Sequence, residues 1–175
     1  MRKYLFALVI FMIANVAIAA ENPLGIAGNS KQPIQVDADA LEVFQEQQKA
    51  IFSGNVIAKQ GTMTVKADRM TIYYAGKQDD AKSQANSIKK IDLNGNVLLT
   101  SPGQSAKSSS GYYDTQKNLI SLSGDVVLTK DNNILKGNKL DYFIETGYSK
   151  IYSEAAQTGA GGRVRGLFVP SQDGK

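Results

Sequence analysis

Three short runs recur along the chain: Ser53-Gly54-Asn55-Val56, Asn94-Gly95-Asn96-Val97 and Ser123-Gly124-Asp125-Val126. Each ends an apolar, strand-like stretch, and eleven residues beyond each glycine a second pattern begins. It reads Val65-Lys66-Ala67-Asp68 followed by Met70 and Ile72, Ala106-Lys107-Ser108-Ser109 followed by Gly111 and Tyr113, and Leu135-Lys136-Gly137-Asn138 followed by Leu140 and Tyr142. An earlier copy, Val36-Asp37-Ala38-Asp39 with Leu41 and Val43, stands eighteen residues before Gly54, as Ala106 stands eighteen before Gly124. The period is therefore 29 residues, with twelve more in the second unit, where the polar tract from Gly76 to Lys90 supplies the excess. A fixed period of this size marks one supersecondary unit that buries its apolar face only by stacking on its neighbours. The functional surface of such a chain is expected to be long rather than a point.

Within each unit the apolar residues alternate, as half-buried strands do. Ile34, Val36 and Ala38 face one way; the apolar register then shifts by one, and Leu41 and Val43 resume the face, as do Met70 with Ile72 and Leu140 with Tyr142. Such a shift turns every later side chain to the other face unless a bulge or bend absorbs it. Corners are therefore expected at Ala38-Asp39, Ala67-Asp68, Ser108-Ser109 and Gly137-Asn138, where small residues with Asx or Ser suit tight backbone. Phe52, Leu93, Leu122 and Ile151 share a second inward position, followed at even spacing by Val56, Val97 and Val126. The glycine between them reads as lying on the apolar face, where its missing side chain lets strands bend or approach closely. In the fourth unit Ser153 replaces that glycine, the degenerate last repeat of a terminus. The chain thus reads as all-β, without a useful helix after its leader and with Gly76 to Lys90 as a loop.

Arg2 and Lys3, an apolar run from Tyr4 to Ala14 and the small-x-small Ala17-Ile18-Ala19 have the layout of a secretory signal peptide, with cleavage expected between Ala19 and Ala20. An uncleaved anchor is the alternative, since Tyr4 to Ala20 is nearly long enough to span a bilayer. Residues 1–19 hold no acid, so Arg2 and Lys3 carry half of the formal charge of +4, and the basic balance is not read as a nucleic-acid footprint. Residues 20–32 read as a flexible lead-in, 33–170 as one β domain with a Gly-rich connector at 157–162, and 171–175 as a frayed tail.

Cysteine and histidine are both absent. That removes disulfides, the usual zinc ligands and the commonest general base. Arg163 and Arg165 have no nucleophile or oriented base to work with, and the glycine-rich motifs lack the carboxylates of a calcium cage. No enzyme, metal or cofactor is expected. Lys66, Lys107 and Lys136 recur in register at outward positions, where they serve solubility.

The repeat places Val43, Phe52, Val56, Val65, Ile72, Leu93, Val97, Leu122, Val126, Leu140 and Tyr142 on the inward face. Ordinary sandwich core is one outcome. An elongated shell around a groove is the other, because these side chains are modest in size and only one broad face repeats. A groove of that kind suits long acyl chains, each buried methylene contributing about 0.8 kcal/mol.

Gln32-Pro33-Ile34, the run Phe52-Ser53-Gly54-Asn55-Val56 continuing through Gln60-Gly61-Thr62 to Ala67-Asp68, Leu122-Ser123-Gly124-Asp125, Ile134-Leu135-Lys136-Gly137-Asn138 and Val169-Pro170-Ser171-Gln172 resemble the LptA/OstA family. These are periplasmic proteins that carry lipopolysaccharide from the inner to the outer membrane of Gram-negative bacteria. The likeness covers about Gln32 to Gln172. It implies an elongated, twisted, slightly open antiparallel β-jellyroll whose copies stack head to tail, with lipid A chains inside and sugars outside. It also implies two caps for that stack, an inner-membrane anchored export component and the periplasmic domain of an outer-membrane assembly protein. Lipid contacts carried over from the family fall on Ile34, Val36 and Tyr113, and none carries over from Gly76 to Lys90 or around Thr115, where the likeness fades.

On that reading the strands around Ile34 to Val43 of one copy pair with those around Leu140 to Val169 of the next. A heterologous contact of this type builds an open filament. Three alternatives stand beside it: a membrane-anchored cap of the same pathway if the leader is retained, a parallel β-helix acting on polysaccharide, and a periplasmic β-scaffold that binds no lipid.

Overall fold

The computed structural model describes residues 32–75, 88–153 and 162–169. The leader with Ala19 and Ala20, most of the lead-in, residues 76–87, most of the glycine-rich connector and the tail lie outside the described residues. Ten strands follow in chain order: β1 (Gln35–Asp37), β2 (Ala40–Phe44), β3 (Lys49–Gln60), β4 (Met63–Tyr74), β5 (Ile88–Ser101), β6 (Gln104–Asp114), β7 (Leu119–Lys130), β8 (Asn133–Phe143), β9 (Tyr148–Tyr152) and β10 (Arg165–Leu167). They form one antiparallel sheet in which β3 to β8 each pair with the next strand in sequence. Antiparallel pairing throughout rules out the parallel β-helix.

Each long strand is bent near its middle, and the bend is a bulge. The register of β3 on β4 shifts between Ser53 and Val56, that of β5 on β6 between Asn94 and Val97, and that of β7 on β8 between Ser123 and Val126. Two residues on one strand thus oppose a single Asp68, Ser109 or Asn138 on the next, and the two-against-one count kinks the sheet. The bulged pairs adopt left-handed backbone, with φ of 78° and 47° at Gly54 and Asn55, and 75° and 47° at Gly95 and Asn96. The bend is therefore made by the glycine pair, while the expected corners at Ala67-Asp68, Ser108-Ser109 and Gly137-Asn138 form its unbulged partner. Ala38-Asp39 is a corner in its own right, the gap between β1 and β2, with the Asp39 N–H donating to the Gly54 carbonyl at 3.0 Å.

The glycines also differ from expectation in what approaches them. A Cβ on Gly54 would overlap the Asp39 side chain, and one on Gly95 the Asp68 side chain. The close neighbours are polar and exposed, not apolar, and positive φ independently demands glycine there.

Along this crease the sheet folds into two arms. One arm holds the stretches following the bulges with β1 and β10; the other holds the stretches preceding them with β2 and β9. Because the bulge absorbs the one-residue shift, both arms aim their apolar residues at each other. Val56, Val97 and Val126 from the first arm and Met70, Leu93, Leu122 and Leu140 from the second are buried in one cluster. The architecture is the open, all-β antiparallel jellyroll.

One loop expectation fails in part. Ile88, Lys89 and Lys90 open β5 instead of ending a loop: Lys90 pairs with Tyr73 and Ile88 with Tyr74, with Lys89 set out of register between them. That irregularity breaks the alternation by which a strand is read. Thr115 secures it, its hydroxyl lying 2.8 Å from the carbonyls of both Ile88 and Lys89.

Candidate functional site

Between the arms lies an open cavity of about 560 Å³. Ile34, Ala58, Met63, Val65 and Leu99 supply one wall from the first arm. Met70, Ile91, Leu93, Tyr113 and Ile120 supply the other, closed off by Ile88 and Ile144. Polar atoms are confined mainly to Lys59, Gln60, Thr115 and Asn118. An apolar trough with a few polar groups suits an amphiphile whose tail enters and whose head stays near water.

Cross-strand register builds the second wall: Ile91 pairs with Tyr113, and Tyr113 with Ile120. Burial, then the neighbouring Asp114 charge, pushes the Tyr113 hydroxyl above its ordinary pKa. Tyr112, one residue earlier, faces the opposite way. It pairs with Asp92 and Ser121, and the Lys90 ammonium stands 5.1 Å from its ring centroid. Lys90 also reaches Asp92 at 2.7 Å, and that hydrogen bond is the main reason its pKa is raised. The outside of this arm is thus charged where its inside is apolar.

The inward residues named from the sequence separate into groups. Ile34, Val65, Leu93 and Tyr113 line the cavity. Val36, Phe52 and Ile72 are partly buried against the core. Val56, Val97, Leu122, Val126, Leu140 and Tyr142 are closed off at 0–1% exposure, in packed core beyond the cavity. Val43 pairs with Ala50 in the inward register yet is 57% exposed on β2. Groove and packed core therefore coexist in one sheet.

Sequence reasoning misses Met63, Ile88, Ile91, Ile120 and Ile144 in the cavity wall. Ile91 and Ile120 were within reach, since each stands two residues before a named inward leucine, Leu93 or Leu122. The irregular start of β5 hides Ile88, and Ile144 lies just past the end of β8.

Among the described residues both ends of the sheet leave strands with one neighbour, β1 and β2 on β3, and β9 and β10 on β8. Exposed apolar side chains gather there: Leu41 and Val43 at the first end, Tyr148, Val164, Leu167 and Phe168 at the other. Unpaired edges with apolar side chains are templates for another chain. Among the described residues no three acidic side chains converge as a metal site would require.

Residues 35–148 match the family model described as LptA/(LptD N-terminal domain) LPS transport protein. The chain belongs to this family. An uncharacterized protein of Rhizobium meliloti (strain 1021) is 34% identical over 158 residues, covering 88% of this chain and 82% of the relative. The lipopolysaccharide export system protein LptA of Escherichia coli (strain K12) is 25% identical over 92% of this chain and 84% of its own length. Among solved structures, LptH of Pseudomonas aeruginosa, the LptA-homologous periplasmic component of the lipopolysaccharide transport device, superposes with a TM-score of 0.64 at 17% identity, over 79% of this chain and 96% of that one. At that identity the likeness speaks for the fold. Membership of the LptA/LptD N-terminal family makes this a transport protein rather than a catalyst.

Proposed function

We propose that this protein is a periplasmic carrier of lipopolysaccharide that shields lipid A acyl chains between its two arms and stacks end to end to bridge the inner and outer membranes. The observation that carries the reading is the open apolar cavity of about 560 Å³, which reaches Ile34 beside the edge strand β1. A trough that extends to the edge can continue into a neighbouring copy, so a chain leaving one molecule need not return to water. In the stack, β1 and β2 of one copy dock on β9 and β10 of the next, and the terminal positions go to an inner-membrane anchored export component and an outer-membrane assembly protein. The mechanism is passive: apolar contact lowers the cost of moving the chain, and the driving energy comes from elsewhere.

The adjacent pair Tyr112 and Tyr113 tests this directly. A photo-crosslinking side chain at each position in turn, with lipopolysaccharide added to the mature protein, should give adducts at 113 and none at 112. Equal labelling at both, or none at either in a folded protein, would leave the lipid-free scaffold as the better account.

A further inference from the structure

Tyr142 is the largest fully buried side chain, at 0% exposure, and its hydroxyl has no hydrogen-bond partner among the described residues. Leaving a buried donor unpaired costs about 1–3 kcal/mol, and phenylalanine would fill the same space without that cost. Elsewhere this sheet satisfies its buried hydroxyls: Ser121, at 1% exposure, bonds to Asp141 Oδ1 at 2.6 Å. Among the described residues one other buried side-chain oxygen, Gln104 Oε1, lacks a partner, and Tyr142 carries the one such hydroxyl.

Its position relates it to the cavity. Tyr142 pairs across the sheet with Ile120 and stands two residues before Ile144, and both line the cavity. The inward row runs Ile91, Tyr113, Ile120, Tyr142, and its first three members form cavity wall. Tyr142 itself does not line the cavity, so for its hydroxyl to meet a ligand there Ile120 or Ile144 must move aside.

We infer that Tyr142 is a polar anchor of the lipid site, its hydroxyl donating to an acceptor oxygen carried within a bound acyl chain: an ester or amide carbonyl, or a chain hydroxyl. The inference rests on the transport reading. Depth selects the partner. Lys59, Gln60, Thr115 and Asn118 are at least partly exposed at the cavity, so sugars and phosphates find their partners there, whereas the Tyr142 hydroxyl is closed to solvent and suits an oxygen that enters with the acyl portion. A smooth apolar wall lets a hydrocarbon slide without register; one donor in that wall gives it a resting position and discriminates acyl from plain alkyl chains.

The test compares wild type with Tyr142→Phe using two probes, lipopolysaccharide and hexadecylphosphocholine, whose chain carries no carbonyl or hydroxyl. Without ligand the variant should melt at or above the wild-type temperature, because an unpaired polar group has been removed. It should bind lipopolysaccharide about three- to tenfold more weakly, the worth of one hydrogen bond, and hexadecylphosphocholine equally well. Unchanged lipopolysaccharide affinity overturns the assignment and leaves the transport reading standing. A lower melting temperature with parallel weakening of both probes also overturns it, marking Tyr142 as structural. A wild type that ignores lipopolysaccharide overturns the transport reading and the anchor together.

Discussion

Asn55 donates from Nδ2 to Asp39 Oδ2 at 2.8 Å, and Asn96 makes the same bond to Asp68 Oδ2 at 2.9 Å. In both cases the carboxylate belongs to a corner position on the preceding side of the sheet and also crowds the glycine before the asparagine. The crease is therefore latched from strand to strand by a repeated polar contact and does not rest on backbone geometry alone.

Replacing Gly95 by alanine should destabilise the fold through two separable effects. A non-glycine residue at φ 75° costs about 1–2 kcal/mol, and the new Cβ would overlap the Asp68 side chain. Asp68→Ala alone should cost about 0.5–1.5 kcal/mol, one exposed hydrogen bond. Urea denaturation of the double variant should show a loss smaller than the sum, since the overlap is gone while the backbone penalty remains. Strict additivity would mean that Asp68 yields freely and exerts no steric control at the crease.

The two ends of the sheet should respond alike to charge. Val43 and Leu167 are each 57% exposed on edge strands, so Val43→Lys or Leu167→Lys should change monomer stability by no more than about 0.5 kcal/mol. Each should nonetheless shift the protein toward monomer in light scattering across a concentration series. Oligomers that persist in both variants would place the contact on another surface.

Stability should be level through neutral pH and fall in alkali. With no histidine in the chain, no ordinary side chain changes charge between about pH 5 and 8. Burial raises the hydroxyl pKa of Tyr113 and Tyr142 above the ordinary value of 10.0. Above that value the unfolded chain releases these protons while the native state keeps them, so native stability declines as pH rises from about 10 toward the raised values. Lys90, raised by its hydrogen bond to Asp92, acts in the same direction: its contribution is complete below 10.5 and is lost as pH passes through its native value. Urea midpoints measured from neutral pH into alkali should show this fall, and Tyr142→Phe should flatten part of it.

The crease was legible in the sequence because two consecutive left-handed residues narrow the choice to glycine followed by asparagine or aspartate. Its seat was placed one strand away, on Asp68, Ser109 and Asn138, since spacing cannot say which of two paired strands holds the extra residue. The inward face was legible from alternation, but its division into cavity wall and packed core was not. Leu93 and Leu122 hold identical repeat positions, yet Leu93 lines the cavity and Leu122 is sealed at 0% exposure. That difference depends on how far apart the arms stand at each point along the sheet, a tertiary property absent from any single repeat. Val43 shows the same limit, correctly assigned to a face but lying where that face is uncovered.

Because β4 to β7 each pair, among the described residues, only with their sequence neighbours and the bulge recurs on every second strand, the molecule's length is quantised. Adding or deleting one 29-residue unit changes it by two strand spacings, roughly 9.6 Å, and leaves every remaining pairing and the phase of the crease untouched. Evolution can thus adjust the reach of such a protein like a ruler with fixed divisions, without redesigning its cross-section.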